Sequence, residues 1–215
     1  MEKTGEKMKA IGVKDIDFQR VVDFHGHGCM GLAIGFRAAK AALNHLGDQR
    51  AGDEELVAIV ETDGCGIDAI QVLLGCTIGK GNLIFKDYGK NVYTVAKRSD
   101  TEAVRIALRP GVFQRTSGQQ NLMEKVFSGR ASDKDLEAFW KMQEQGIKQI
   151  LSIEEDVLFK IEEVKVELPE KARIFRSVTC EFCGEDVMEP RARIRQGRPA
   201  CIPCAERYSR GWDKE

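Results

Sequence analysis

The sequence predicts an α+β fold, a mixed or antiparallel sheet with flanking helices, followed by a small C-terminal treble-clef-like zinc finger. Three observations carry this reading. Apolar residues recur at helical spacing in several segments, three short β-rich runs follow one another in mid-chain, and four of the seven cysteines form two CxxC pairs near the end. A chain of 215 residues suits one buried core and an appendage, here a core over 1–170 and a finger over 171–215.

The elements follow in order. IDFQRVVDF reads as a short helix with Ile16, Val21 and Phe24 as apolar contacts, ending at the glycine cluster from Gly26. From Cys29 a second helix carries Leu32, Phe36, Ala39 and Leu43 on one face until Gly47 stops it. ELVAIVET, residues 55–62, is a β-branched strand, and DGC turns it into the helix IDAIQVLLG. LIFKDYG, NVYTVAKR and AVRIALR are strand candidates for an antiparallel meander, with Gly89, Lys90 and Asn91 turning between the first two. QQNLMEKVFSG and SDKDLEAFWKMQEQGIKQIL are periodic helices, the second capped by Ser132 with Asp135 completing a capping box. Alternation from Phe159 to Leu168 predicts a last core strand, closed by Pro169.

A net charge of -1 excludes a global basic field, so nucleic acid would need a local patch. MEKTGEKMKAIGVKD lacks an apolar leader core, and no stretch approaches the roughly eighteen apolar residues of a membrane span. The expectation is a cytoplasmic protein without membrane contact, in which cysteine serves metal or redox chemistry more than disulfides.

In the tail, Cys180 and Cys183 precede Cys201 and Cys204 by seventeen residues, the spacing of a four-thiolate zinc site. A knuckle at Phe182 and Gly184, a hairpin turning at Gln196-Gly197, and a pair opening the helix CAERYSRGW give the order of a treble clef. Two disulfides or a redox CxxC pair are the alternatives, but a module of about forty residues needs a staple to fold, which favours structural zinc. Arg191, Arg193, Arg195, Arg198, Arg207 and Arg210 make it locally basic, and a solvated basic face is preferred to nucleic-acid binding because no base-reading helix accompanies them.

DFHGHGCMG, residues 23–31, holds two of the three histidines and one cysteine. Glycines at 26 and 28 let the backbone turn His25 and His27 inward together. Imidazole and thiolate are transition-metal ligands, so His25, His27, Cys29 and Cys65 contain a site, with zinc or another metal as its ion. Cys29 and Cys65 each open a helix, which favours the thiolate. Asp63 and Asp68 bracket Cys65 as proton-transfer or ligand-orienting groups, or as a cap and a solvated charge. Cys76 reads as a core residue. GCTIGKGN, residues 75–82, is either an anion cradle using Lys80 with Lys90 nearby or a tight loop.

FHGHGCMGLAIGFRAA, ETDGCGIDAIQVLLGCTIGKGNLIFKDYGK and the CxxC tail closely resemble FmdE, a family named from formylmethanofuran dehydrogenase, over roughly residues 15–165, with the finger as an accessory of some members. The resemblance implies an α+β core whose motif lines a cleft, often with bound metal, and a homodimer. By position it carries His25, His27, Cys29, Cys65, Asp68, Gln71, Cys76, Thr77, Lys80, Asn82 and Lys90; Met30 departs from the family's usual proline. It implies a metal-binding accessory protein linked to a molybdenum or tungsten oxidoreductase partner, with a small anionic ligand at Thr77, Lys80, Asn82 and Lys90. The alternatives are a stand-alone hydrolase-like zinc enzyme using His25, His27, Cys29, Cys65 and Asp68, and a zinc-finger regulator binding nucleic acid.

Overall fold

The computed structural model describes residues 16–47, 49–99 and 102–205. The chain divides into two units, Met1–Lys171 and Ala172–Glu215. In the first, helices α1 (Ile16–His25), α2 (Met30–Leu46) and α3 (Gly66–Leu74) accompany β1 (Leu56–Val60), β2 (Leu83–Phe85), β3 (Val92–Lys97) and β4 (Glu102–Leu108). Helices α4 (Ser117–Phe127) and α5 (Asp133–Ser152), a single turn α6 (Glu155–Leu158) and β5 (Phe159–Lys165) complete it.

The five strands form one mixed sheet in the order β2-β1-β3-β4-β5. The expected meander holds for β3, β4 and β5, which pair antiparallel in sequence. It fails for β2, which lies parallel to β1, while β1 pairs antiparallel with β3. The α3 crossover returns the chain beside β1 on its outer side, so the turn at Gly89 joins strands that do not touch.

One sheet face is the core. Leu56, Ala58 and Val60 of β1 align with Val95 and Tyr93 of β3, then Val104 and Ile106 of β4, and all are buried beneath the helices. Helix α2 follows its predicted stripe through Leu32, Phe36 and Ala39, with Leu43 half-buried, and Gly47 caps it in the left-handed region at φ 59°. Helix α1 departs from expectation. Phe18, Val21 and Val22 are buried, whereas Ile16 and Phe24 are exposed, because the core meets a face turned about a third of the way round the helix from the one assumed. Ser132 and Asp135 form the predicted capping box of α5, and Thr116 with Gln119 forms another on α4.

The second unit holds two hairpins, β6 (Ser177–Thr179) with β7 (Asp186–Met188) and β8 (Arg193–Arg195) with β9 (Arg198–Ala200). Gln196 and Gly197 take φ 51° and 76°, so the hairpin turns where the sequence placed it. Most of the expected helix CAERYSRGW lies outside the described residues.

Candidate metal centre

Helix α1 ends where Gly26, at φ 91°, adopts a conformation that other residues avoid, its N–H closing on the Val22 carbonyl at 2.8 Å. The chain then reverses into α2, whose N-cap is Cys29: the sulfur accepts from the Leu32 amide at 3.3 Å. This break brings His25, His27 and Cys29 together, one ligand atom from each lying within 4.8 Å of the others. The two imidazoles stand 4.6 Å apart between centroids, tilted by 40°.

His25 is oriented from behind. Its Nδ1 lies 2.6 Å from Asp68 Oδ2, and the other Asp68 oxygen accepts from Gln71 Nε2 at 3.2 Å. Its Nε2 is buried with no hydrogen-bond partner among the described residues. A carboxylate on one ring nitrogen with the other left bare is the arrangement that presents an imidazole to a metal. His27 is held below its ordinary pKa by burial and by the neighbouring His25, which keeps it in the neutral, ligating form.

Cys65, just before α3, is hydrogen-bonded to Cys29. Cys29 is the hydrogen donor of the pair: its pKa is raised by that bond and by burial, whereas Cys65 is lowered to about 5, first by the bond from Cys29 and then by the charge of His25. The sequence placed Cys65 among the metal ligands; the convergent set contains Cys29, with Cys65 at its side.

Close helix contact makes this possible. A side chain on Gly35 would run into the backbone of Gly66, and one on Gly31 would meet Cys65 Cβ at 3.5 Å. Met30, at the start of α2, lies against Gly146 of α5.

The expected anion loop sits at the other end of α3. Asn82 is fully buried; its Oδ1 accepts from the Thr77 amide at 2.9 Å and its Nδ2 donates to Leu56 O and Asp53 O. Lys80 donates to Asp53 O at 2.8 Å and Gly52 O at 3.3 Å, and its own amide bonds Thr77 Oγ1. These groups clamp the loop to the strand beside it. Lys90 lies over the Tyr88 ring at 5.7 Å. Cys76 is buried against Leu56 O, and burial pushes its thiol up to about 12. Sequence reasoning passed over Tyr93, whose buried hydroxyl approaches Gly66. A tyrosine in an apolar strand carries no motif, and its one trace is the glycine it requires opposite.

In the second unit, Cys180, Cys183, Cys201 and Cys204 also converge within 4.8 Å. Amide donation from Cys201 lowers Cys180 to about 6, and hydrogen bonding to Cys201 raises Cys204 to about 12. Four sulfurs so close compete for protons that one divalent cation would replace.

A family model described as FmdE, molybdenum formylmethanofuran dehydrogenase operon, matches residues 24–160. The chain belongs to the FmdE family. A second model, the prokaryotic dksA/traR C4-type zinc finger, matches residues 173–210 of this FmdE protein. A probable S-adenosyl-L-methionine-binding protein from Archaeoglobus fulgidus is 37% identical over 199 residues, covering 88% of this chain and 52% of its own. The chain thus spans about half the length of that relative. The crystal structure of a tungsten formylmethanofuran dehydrogenase FmdE-like protein from Syntrophus aciditrophicus shares the fold, with a TM-score of 0.55 at 22% identity, over 86% of this chain and 88% of that one.

Proposed function

We propose that the core cleft holds a transition-metal ion through His25, His27 and Cys29, and that the protein serves a molybdenum or tungsten oxidoreductase of the formylmethanofuran type as an accessory factor. The observation that carries the metal assignment is the bare, buried Nε2 of His25, fixed by Asp68 and placed among two other donors. Leaving a buried nitrogen unpaired costs about 1–3 kcal/mol, and a metal removes that cost. Membership of the FmdE family supports the accessory role.

The chain's own residues prepare the cleft. Asp68 takes the Nδ1 proton of His25 as a hydrogen bond and so sets the tautomer. Burial keeps His27 neutral. Cys29 would give up its proton on ligation, and Cys65 beside it would accept that proton. Held by these three residues, a divalent ion would supply Lewis acidity in the cleft.

Metal content decides the assignment. Purified full-length protein and the His27→Ala variant are compared by elemental analysis and by Co(II) titration. The expected result is about one equivalent more metal in the wild type, the finger keeping its own in both. Equal content would overturn the reading, and saturation by S-adenosyl-L-methionine in the absence of metal would replace it.

A further inference from the structure

All the cysteines of the chain are free thiols, and the fold sorts them by what each can reach. The four of the second unit converge on one another. In the first unit Cys76 is fully buried, its sulfur 3.5 Å from Leu56 O. Cys29 and Cys65 are half-buried, one capping α2 and the other standing just before α3. The convergent metal-ligand set takes in Cys29 and leaves Cys65 at its side.

Gly31, in the first turn of α2, measures how near the two thiols lie. A Cβ added there would meet Cys65 Cβ at 3.5 Å, Cys65 Sγ at 3.9 Å and Cys29 Sγ at 4.0 Å, so both sulfurs crowd one point. Backbone holds them there. One turn further on, a Cβ on Gly35 would run into the backbone of Gly66, the residue after Cys65. A disulfide spans Cα atoms up to about 7 Å apart, and helices that cross with no room for a methyl group bring the residues at their starts within that reach.

The surroundings suit a bond between them. Cys76 is turned away into the core, so among the described residues of this unit no third thiol competes. The Leu32 amide donates to Cys29 Sγ at 3.3 Å, and a disulfide sulfur still accepts such a bond, so the helix cap survives oxidation. Half-burial leaves both sulfurs open to a small oxidant, which the buried Cys76 is not.

We propose that Cys29 and Cys65 are a reversible disulfide site, closed by a peroxide, and that closing it withdraws Cys29 from the metal centre. One sulfur attacks a peroxide oxygen, the O–O bond breaks, and a sulfenic acid forms as the first water leaves. The second sulfur displaces the hydroxyl group, which departs with the remaining thiol hydrogen as the second water. Two thiols thus lose two electrons and two protons, and one hydrogen peroxide becomes two waters. A dithiol reductant restores the pair by exchange. The bonded Cys29 sulfur carries no charge for an ion, and of the convergent three only His25 and His27 remain. This last consequence rests on the metal reading; the bond itself does not.

The test treats full-length protein, its finger loaded with zinc, with a slight excess of hydrogen peroxide. Remaining thiols are alkylated in denaturant, and the chain is cut with trypsin without reduction. The expected product joins the peptides 21–37 and 51–80, with Cys76 alkylated, and dithiothreitol dissolves it. In Cys65→Ser no such product forms, and Cys29 proceeds to sulfinic and sulfonic acids. Cys29 and Cys65 recovered alkylated, or each over-oxidised separately in the wild type, would overturn the proposal. A second arm follows Co(II) bound beyond the finger's share. Cross-linking should release about one equivalent, and reduction should restore it. Cobalt retained by the cross-linked protein would overturn the withdrawal of Cys29. A cross-link in protein that never takes up core cobalt would fell the metal reading and leave the disulfide site standing.

Discussion

The core centre and the finger use the same residue types toward different ends. In the finger the buried cluster is Cys180, Ala200 and Cys201, with Phe182, Val187 and Cys204 at its margin, so the ligands themselves are the core. In the first unit Cys29 and Cys65 sit at the edge of a large apolar cluster that includes Phe18, Phe36, Leu74 and Ile106. The finger's cysteines make up its core; those of the first unit rest against one. A cysteine near a turn therefore says little about stability until the surrounding apolar burial is known.

The largest effect that would sharpen this contrast is metal removal. Chelation, or Cys201→Ser, should unfold residues 172–205 outright, since zinc contributes on the order of 10 kcal/mol to such modules. Limited proteolysis should then cleave the tail and spare the core, and a tail that stays resistant would break the comparison.

Next comes the helix crossing. Gly35→Ala puts a methyl into the Gly66 backbone, which cannot rotate away, and should cost about 3 kcal/mol in urea unfolding while weakening core metal binding. An unchanged midpoint would show that the two helix starts can separate without harm.

The smallest effect is a pH slope. A cysteine titrates near 9.0 in the unfolded chain and Cys65 near about 5 in the folded one, so between these values the unfolded state holds the extra proton. Metal-free stability should rise from about pH 5 to about pH 9 and be lost as the pH falls through 5. Cys29, raised, acts oppositely and lowers stability above about pH 9. Urea midpoints across this range should lose their slope in Cys65→Ser; a slope that persists would assign it elsewhere.

Much of this was legible in the residues. Caps at Ser132 and Gly47, the turn at Gln196-Gly197 and the paired cysteines are local signals, fixed by a few neighbouring atoms. The clustering of His25, His27 and Cys29 was legible for the same reason, since all three lie in one five-residue break. What escaped was non-local. The insertion of β1 between β2 and β3 depends on where α3 returns the chain, and short apolar strands do not state their partners. The face of α1 was misjudged because Ile16 and Phe24 are apolar without being covered. Tyr93 was invisible because what its hydroxyl meets, Gly66, lies in a helix far from it in the sequence.

Arg37 carries a last consequence. Midway along the helix that Cys29 caps, its Nη1 donates to the carbonyls of Ile150 and Ile153 at 2.8 Å and of Leu151 at 3.0 Å, at the close of α5. The helix bearing the cysteine is therefore pinned by backbone made more than a hundred residues later. During synthesis the histidines and cysteines emerge early, yet the helix behind them acquires this anchor only after Ile153 has left the ribosome. A nascent chain would expose its thiols and imidazoles before that support exists, which makes the interval of translation the period in which these side chains meet solvent and oxidants without the helix held in place behind them.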